Sequence, residues 1–351
     1  MPTRHLLNNA RSVTSTTSTP RTLLLTLDAF DTLFHPRQPV PEQYATTAHE
    51  FGLSRTAITP QKLKAAFKTI FREQAARYPN YGRADVLRGR YGGPKQWWEE
   101  VIRGSFSRAL LSEGASGSRN SARATQAATS INPNPDFDPH LPVGMVEALV
   151  DRFAGAEGYT LYEDVEPFFA RLRKLKVNAG ATNRRFDRVL VGVVSNSDDR
   201  VPAVLRALGL RVGDLRADQD FSSMELPGFE QRGKKIGRDD SDESGRSVQS
   251  EVDLDLVITS YEAGEEKPHR LIFDVAERQA RLLASSSVGT RISSSPGDWV
   301  CVHVGDDYEK DYLGALDAGW QSYLLCRGGG EERGAQTISS LTELIHELEI
   351  D

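Results

Sequence analysis

The chain has 351 residues, 38% of them hydrophobic and 26% charged, with a net charge of −6. That length can bury one large core or two modest ones, and the negative balance argues against a global basic field of the kind that holds nucleic acid. Two cysteines, Cys301 and Cys326, stand far apart inside apolar runs; this argues against a disulfide framework or zinc site and fits a reducing compartment, cytoplasmic or nuclear.

Residues 1–21 hold Arg4 and Arg11 among many Ser and Thr and no acid. They read as a disordered extension, with a mitochondrial transit peptide as the alternative. Five short apolar runs follow: Leu23–Leu27, Val189–Val194, Leu254–Ile258, Val300–Val304 and Ser322–Leu325. Each is unbroken enough to be buried on both faces, the pattern of a parallel sheet. Residues 34–160 are too many for a simple crossover. They carry helical patterns at Pro41–Phe51, Pro60–Arg77, Gly93–Leu111 and Val143–Phe153, which predicts an inserted helical cap. Later helices are predicted at Val201–Leu208, Arg270–Leu283, Tyr312–Ala318 and Thr342–Glu349, with Gly209 and Gly319 as stops.

Strand–helix alternation makes the fold class α/β, a Rossmann-like doubly wound parallel sheet built from residues 22–33 and 161–351. Segments near 114–142, 224–251 and 284–297 lack apolar periodicity and read as disordered insertions. Within the cap, Lys62, Lys64, Lys68, Arg72, Arg77, Arg83, Arg88, Arg90 and Lys95 outnumber Glu73 and Asp85, most simply as a solvated helix face. Tyr44, Trp97 and Trp98 read as packing residues. No apolar run approaches the ~18 residues of a membrane span, so no membrane partner is expected.

Several runs end in polar residues, and ligands in open α/β sheets bind at the carboxyl ends of the strands. The first run ends LTLDAFDTLF and the second GVVSNSD; SYEAGEEKP follows the third, and the fourth ends HVGDDYEKD. In that order the four segments resemble the haloacid dehalogenase superfamily, over roughly residues 22–327 apart from the insertions. Within it they are similar to the haloacid dehalogenase-like hydrolase domain-containing protein 3 group, whose first motif also reads Asp-x-x-Asp-Thr-Leu.

The resemblance implies a Rossmann-like core with a helical cap, and roles for particular residues. Asp28 matches the nucleophile, which forms an aspartyl-phosphate and splits one hard displacement into two easier ones. Ser195 matches a hydroxyl that donates to the phosphate, with Asn196 beside it to bind and orient. Lys267 matches the ammonium that offsets repulsion between a carboxylate and a phosphate dianion. Asp28, the backbone carbonyl of Phe30 and Asp306 match the ligands of Mg²⁺, a hard cation that prefers oxygen. Asp311 would hold that set from outside, and Asp307 is the alternative to Asp306.

One departure stands out. Family phosphatases usually carry a second Asp two residues after the nucleophile, as general acid and base, a service worth roughly 10²–10⁴-fold. Here that position is Phe30. Asp31 is one residue further and on a plain strand would face the other way, unless a bulge or turn re-aims it. The expected function is a Mg²⁺-dependent phosphatase of a small phosphorylated metabolite. The alternatives are a weakly active or non-catalytic binding protein, and a 2-haloacid dehalogenase, which needs no metal.

Overall fold

The run TLLLTL forms β1 (Thr22–Leu27), and all six of its residues are buried. A strand can be apolar on both faces only where both faces of its sheet are covered, as in a parallel α/β sheet. Each such leucine contributes roughly 1.5–3 kcal/mol relative to an exposed one. The computed structural model describes residues 21–114, 141–177, 185–217, 226–229, 252–286, 299–329 and 334–349. Residues 1–20 and most of the three expected insertions lie outside these.

In chain order the strands are β1, β2 (Phe34–Pro36), β3 (Tyr159–Leu161), β4 (Arg188–Ser195), β5 (Val212–Leu215), β6 (Leu254–Thr259), β7 (Trp299–Gly305), β8 (Gln321–Leu325) and β9 (Thr337–Ile338). Seven of them make one sheet in the order β5-β6-β4-β1-β7-β8-β9, and every pairing in it is parallel. β1 lies at the centre. The chain leaves it toward β4 and later returns to its other side at β7, so the strand order reverses there. A crevice opens at such a switch point, outside the strands' carboxyl ends.

β2 and β3 pair antiparallel as a separate ribbon. Between them lie α1 (Val40–Glu50), α2 (Pro60–Arg77), α3 (Pro79–Val86), α4 (Pro94–Gly114) and α5 (Met145–Arg152). Pro39 and Thr59 cap the first two, and the Thr59 hydroxyl accepts from the Lys62 amide. α6 (Val165–Val177), α7 (Val201–Ala207), α8 (Ser260–Ala263), α9 (Arg270–Ser286), α10 (Gly314–Asp317) and α11 (Leu341–Glu347) complete the helices. No described helix is long and apolar enough to cross a membrane.

Three expectations need correcting. The helix expected over Tyr312–Ala318 is a π-helix, Tyr308–Leu313, that runs into the short α10; π-turns depend on local tertiary fit rather than on periodicity. Within 224–251, read as disordered, Leu226 is buried, and the Phe229 ring packs against the Arg200 guanidinium, 4.7 Å from its centroid. At 284–286 the chain is still helical, as the end of α9. The remaining parts of both segments fall outside the described residues.

Candidate active site

Four strand ends bring the site together. Asp28 follows β1 directly, and its amide donates to Val304 O at 2.8 Å, which continues the β1–β7 pairing. Ser195 ends β4 and is buried. Lys267 follows α8, just beyond β6, and Asp306 follows β7. Together with Phe30, Asp31, Asn196, Asp307, Lys310 and Asp311 they line a cleft of about 230 Å³.

Lys267 organises the floor. Its buried ammonium donates to Asp28 Oδ1 (2.8 Å), Asp311 Oδ1 (2.6 Å) and Val194 O (2.7 Å), which uses all three of its protons. Asn196 holds the lysine backbone reciprocally: Lys267 N donates to Asn196 Oδ1 (2.6 Å) and Asn196 Nδ2 to Lys267 O (2.9 Å). Asn196 therefore orients the lysine loop as well as lining the cleft.

Asp28, Asp306 and Asp311 each offer an oxygen within 4.8 Å of the others. Asp311 reaches that position because residue 305 is glycine; a Cβ there would lie 2.2 Å from the Asp311 carboxyl carbon. The Asp311 carboxylate is fully engaged, Oδ1 by Lys267 and His303 (3.1 Å) and Oδ2 by the Asp307 amide (3.0 Å). Asp307 caps the π-helix instead: it accepts from the amides of Glu309 and Lys310 and pairs with Lys310 Nζ at 2.6 Å.

Electrostatics follow from this crowding. Burial raises the Asp28 carboxyl above its ordinary range, against the pull of Lys267. Burial would raise Asp311 too, but Lys267 and His303 hold it well below the usual carboxylate range. Partial burial, then the charges of Asp28, Asp311 and Asp31, push Asp306 up to about 7.

Asp31 does reach the cleft. Its φ of 56° places it in the left-handed region, inside a turn closed by Leu33 N to Ala29 O (2.9 Å) and Asp31 N to Phe34 O (2.8 Å). The strand alternation that would turn it away has ended by then. Tyr162 OH donates to Asp31 Oδ1 at 3.5 Å. Phe30 also lines the cleft, while its ring packs edge-on against Phe34 and Tyr159, with centroids 4.7 and 5.6 Å away.

Tyr44, Trp97 and Trp98 stay out of the cleft. Tyr44 and Trp98 line a separate apolar cavity beside Arg200. Trp98 Nε1 donates to Asp198 at 2.7 Å, and Trp97 Nε1 to Tyr78 O at 3.1 Å. None of the basic residues between Lys62 and Lys95 lines the cleft either. Thr32, four residues after Asp28 in the first motif, donates its hydroxyl to Asp306 Oδ1 (3.4 Å); the sequence reading missed Lys310 on the rim and buried His303. A lone histidine inside the apolar run VCVHVG is the one signal that pointed to either of them.

No family model matches the chain. Along most of its length, however, it is 26% identical over 302 residues to haloacid dehalogenase-like hydrolase domain-containing protein 3 of Homo sapiens, spanning 86% of this chain and 81% of that protein. It is 24% identical over 305 residues to the Danio rerio protein of the same name, spanning 87% and 85%. Over that length the chain is similar to haloacid dehalogenase-like hydrolases. Among solved structures, the chain matches a HAD phosphatase from Thermococcus onnurineus (15% identity, 93% of this chain and 97% of that one, TM-score 0.43). A 2-haloacid dehalogenase from Pseudomonas syringae is as near (15%, 93% and 98%, TM-score 0.44). At those scores neither decides the chemistry.

The donor set of this site suits a hard divalent cation. Around the cleft, five carboxylates face the ammonium groups of Lys267 and Lys310, an imbalance that a dication relieves. A proton on Asp306 competes with the metal. Apparent affinity for a divalent cation is therefore expected to fall as pH drops through about 7. Calorimetric titration at about pH 6 and about pH 8 checks this; equal affinities would remove Asp306 from the ligand set.

Proposed function

We propose that the chain is a Mg²⁺-dependent phosphatase of small phosphomonoesters, working through an aspartyl-phosphate on Asp28. The observation that carries this is the cluster of Asp28, Asp306 and Asp311 oxygens beside a lysine fixed on Asp28 Oδ1. With Oδ1 held by Lys267, the other carboxylate oxygen is the one free to attack phosphorus. Asp28, Asp306 and the Phe30 carbonyl would hold Mg²⁺, which supplies charge neutralisation of the phosphoryl oxygens. Ser195 would orient the phosphate, while Lys267, its three protons already engaged, contributes positive charge beside the reacting carboxylate.

In the first step the Asp28–phosphorus bond forms, the phosphorus–ester oxygen bond breaks, and the departing alkoxide takes a proton. In the second, water attacks phosphorus, Asp28 leaves, and a base receives the water's proton. Asp31 lies on the cleft wall and is the carboxyl available for both transfers. Asp31→Asn is expected to lower kcat for an alkyl phosphate roughly 10²–10⁴-fold. With a nitrophenyl ester, whose leaving group needs no proton, a burst of nitrophenol should precede a stalled second step. Wild-type turnover in Asp31→Asn would remove it from this role.

Phe30 in the cleft wall favours a second reading, dehalogenation, because an aromatic residue there suits a substrate that needs no leaving-group proton. Phosphate release from a panel of phosphomonoesters, and halide release from 2-haloacids, each with and without Mg²⁺, tests both. Metal-dependent phosphate release supports the phosphatase. Metal-independent halide release would replace it with the dehalogenase, and no release of either kind would leave a binding protein.

A further inference from the structure

His303 sits in the middle of β7 between Val302 and Val304, with no exposed surface. An imidazole in the interior of a sheet is costly unless its ring nitrogens are hydrogen-bonded, and here both are. Nε2 lies 3.1 Å from Asp311 Oδ1 and Nδ1 lies 2.8 Å from Thr26 Oγ1, and Thr26 is itself fully buried in β1. The Phe273 ring meets the imidazole edge-on, with centroids 5.3 Å apart, and limits its rotation.

Asp311 as a carboxylate can only accept, so Nε2 carries the hydrogen and donates to it. The same Asp311 oxygen accepts a hydrogen bond from Lys267, and Lys267 in turn donates to Asp28 Oδ1. The contacts form a continuous line, Thr26–His303–Asp311–Lys267–Asp28, from the sheet interior to the cleft floor. An aliphatic residue at position 303 would fill the core with no polar group to satisfy. The imidazole is explained by what it holds in place.

We infer that His303, steered by Thr26, is a positioning residue: it fixes the Asp311 carboxylate so that the Lys267 ammonium stays on Asp28 Oδ1. The kinetic consequence rests on the phosphatase reading; the placement of Lys267 does not. Outer partners of this kind typically change activity about 10–100-fold. His303→Leu is therefore expected to lower kcat by about that factor while KM moves less than about threefold, because the loss falls on the reacting carboxylate rather than on binding. His303→Gln, which can still donate to Asp311, should recover most of it.

A second readout needs no turnover. Acylation of Lys267 by acetic anhydride, followed by mass spectrometry on the folded full chain, reports how firmly the amine is held. It should be slow in the wild type, several-fold faster in His303→Leu and slow again in His303→Gln. If His303→Leu does not fold, the near-isosteric Thr26→Val carries the same test, since it frees Nδ1. A merely structural histidine would lower Tm and leave kcat of the folded protein and Lys267 labelling unchanged; that result would overturn the inference. If the wild type releases no phosphate, the phosphatase reading fails, and labelling still decides this one: faster acylation in the variant supports it, and equal acylation overturns it.

Discussion

Asp28→Asn abolishes turnover without unfolding the protein: that is the expected result, and both halves follow from the geometry. An amide cannot form the acyl-phosphate, so loss of the nucleophile is expected to lower kcat by on the order of 10⁴-fold or more. Stability should change little. Burial already raises the Asp28 carboxyl, so the folded state gains little from its charge. Asparagine is nearly isosteric, and its carbonyl oxygen can accept the Lys267 proton that Oδ1 accepts now. Lys267 also keeps Asp311 and Val194 O as acceptors. Phosphate release and thermal melting, measured on the same preparation, separate the two effects. Turnover within tenfold of wild type at unchanged Tm would mean that phosphorus is attacked by something other than Asp28.

How much of this was legible in the sequence depended on whether the signal was local. β1, β4, β6, β7 and β8 are apolar on both faces, so their runs could be read within a residue or so of their ends. β2 and β3 have three residues each and exist through their pairing with each other, which no window of sequence shows. α6 is hard to see in the sequence because Pro167 lies in its first turn, where proline is tolerated but in sequence marks a helix boundary. At the site, Asp28, Ser195 and Asp306 stand at or just past the ends of predicted strands and Lys267 just ahead of a predicted helix, and their order along the chain carried them. The reach of Asp31 was not readable, because alternation along a strand has no bearing once the chain turns at φ 56°. The fit of Asp311 against Gly305 and the roles of His303 and Thr32 arise from contacts between distant strands.

Removing the lysine should damage both stability and chemistry. Lys267→Met keeps the length and the apolar stem but deletes a buried ammonium shared by Asp28 and Asp311. Breaking a buried ion pair by removing one partner costs about 3–5 kcal/mol, because the remaining charge is left uncompensated. Here two carboxylates are left facing each other, and Tm should fall accordingly. Added Mg²⁺ is expected to recover part of the loss by supplying positive charge to the same oxygens. The variant should also show which way Lys267 acts on Asp28. In the wild type Lys267 lowers the Asp28 pKa against the burial that raises it. Without the lysine the carboxyl rises further, so a larger fraction is protonated and unable to attack at a given pH. The acid limb of the rate profile should move to higher pH, and kcat on the plateau should drop on the order of 10²–10³-fold as electrostatic stabilisation of the phosphoryl group is lost. A variant as stable as wild type, with an unmoved acid limb, would show that Asp28 and Asp311 are balanced by another cation and that Lys267 only fills space.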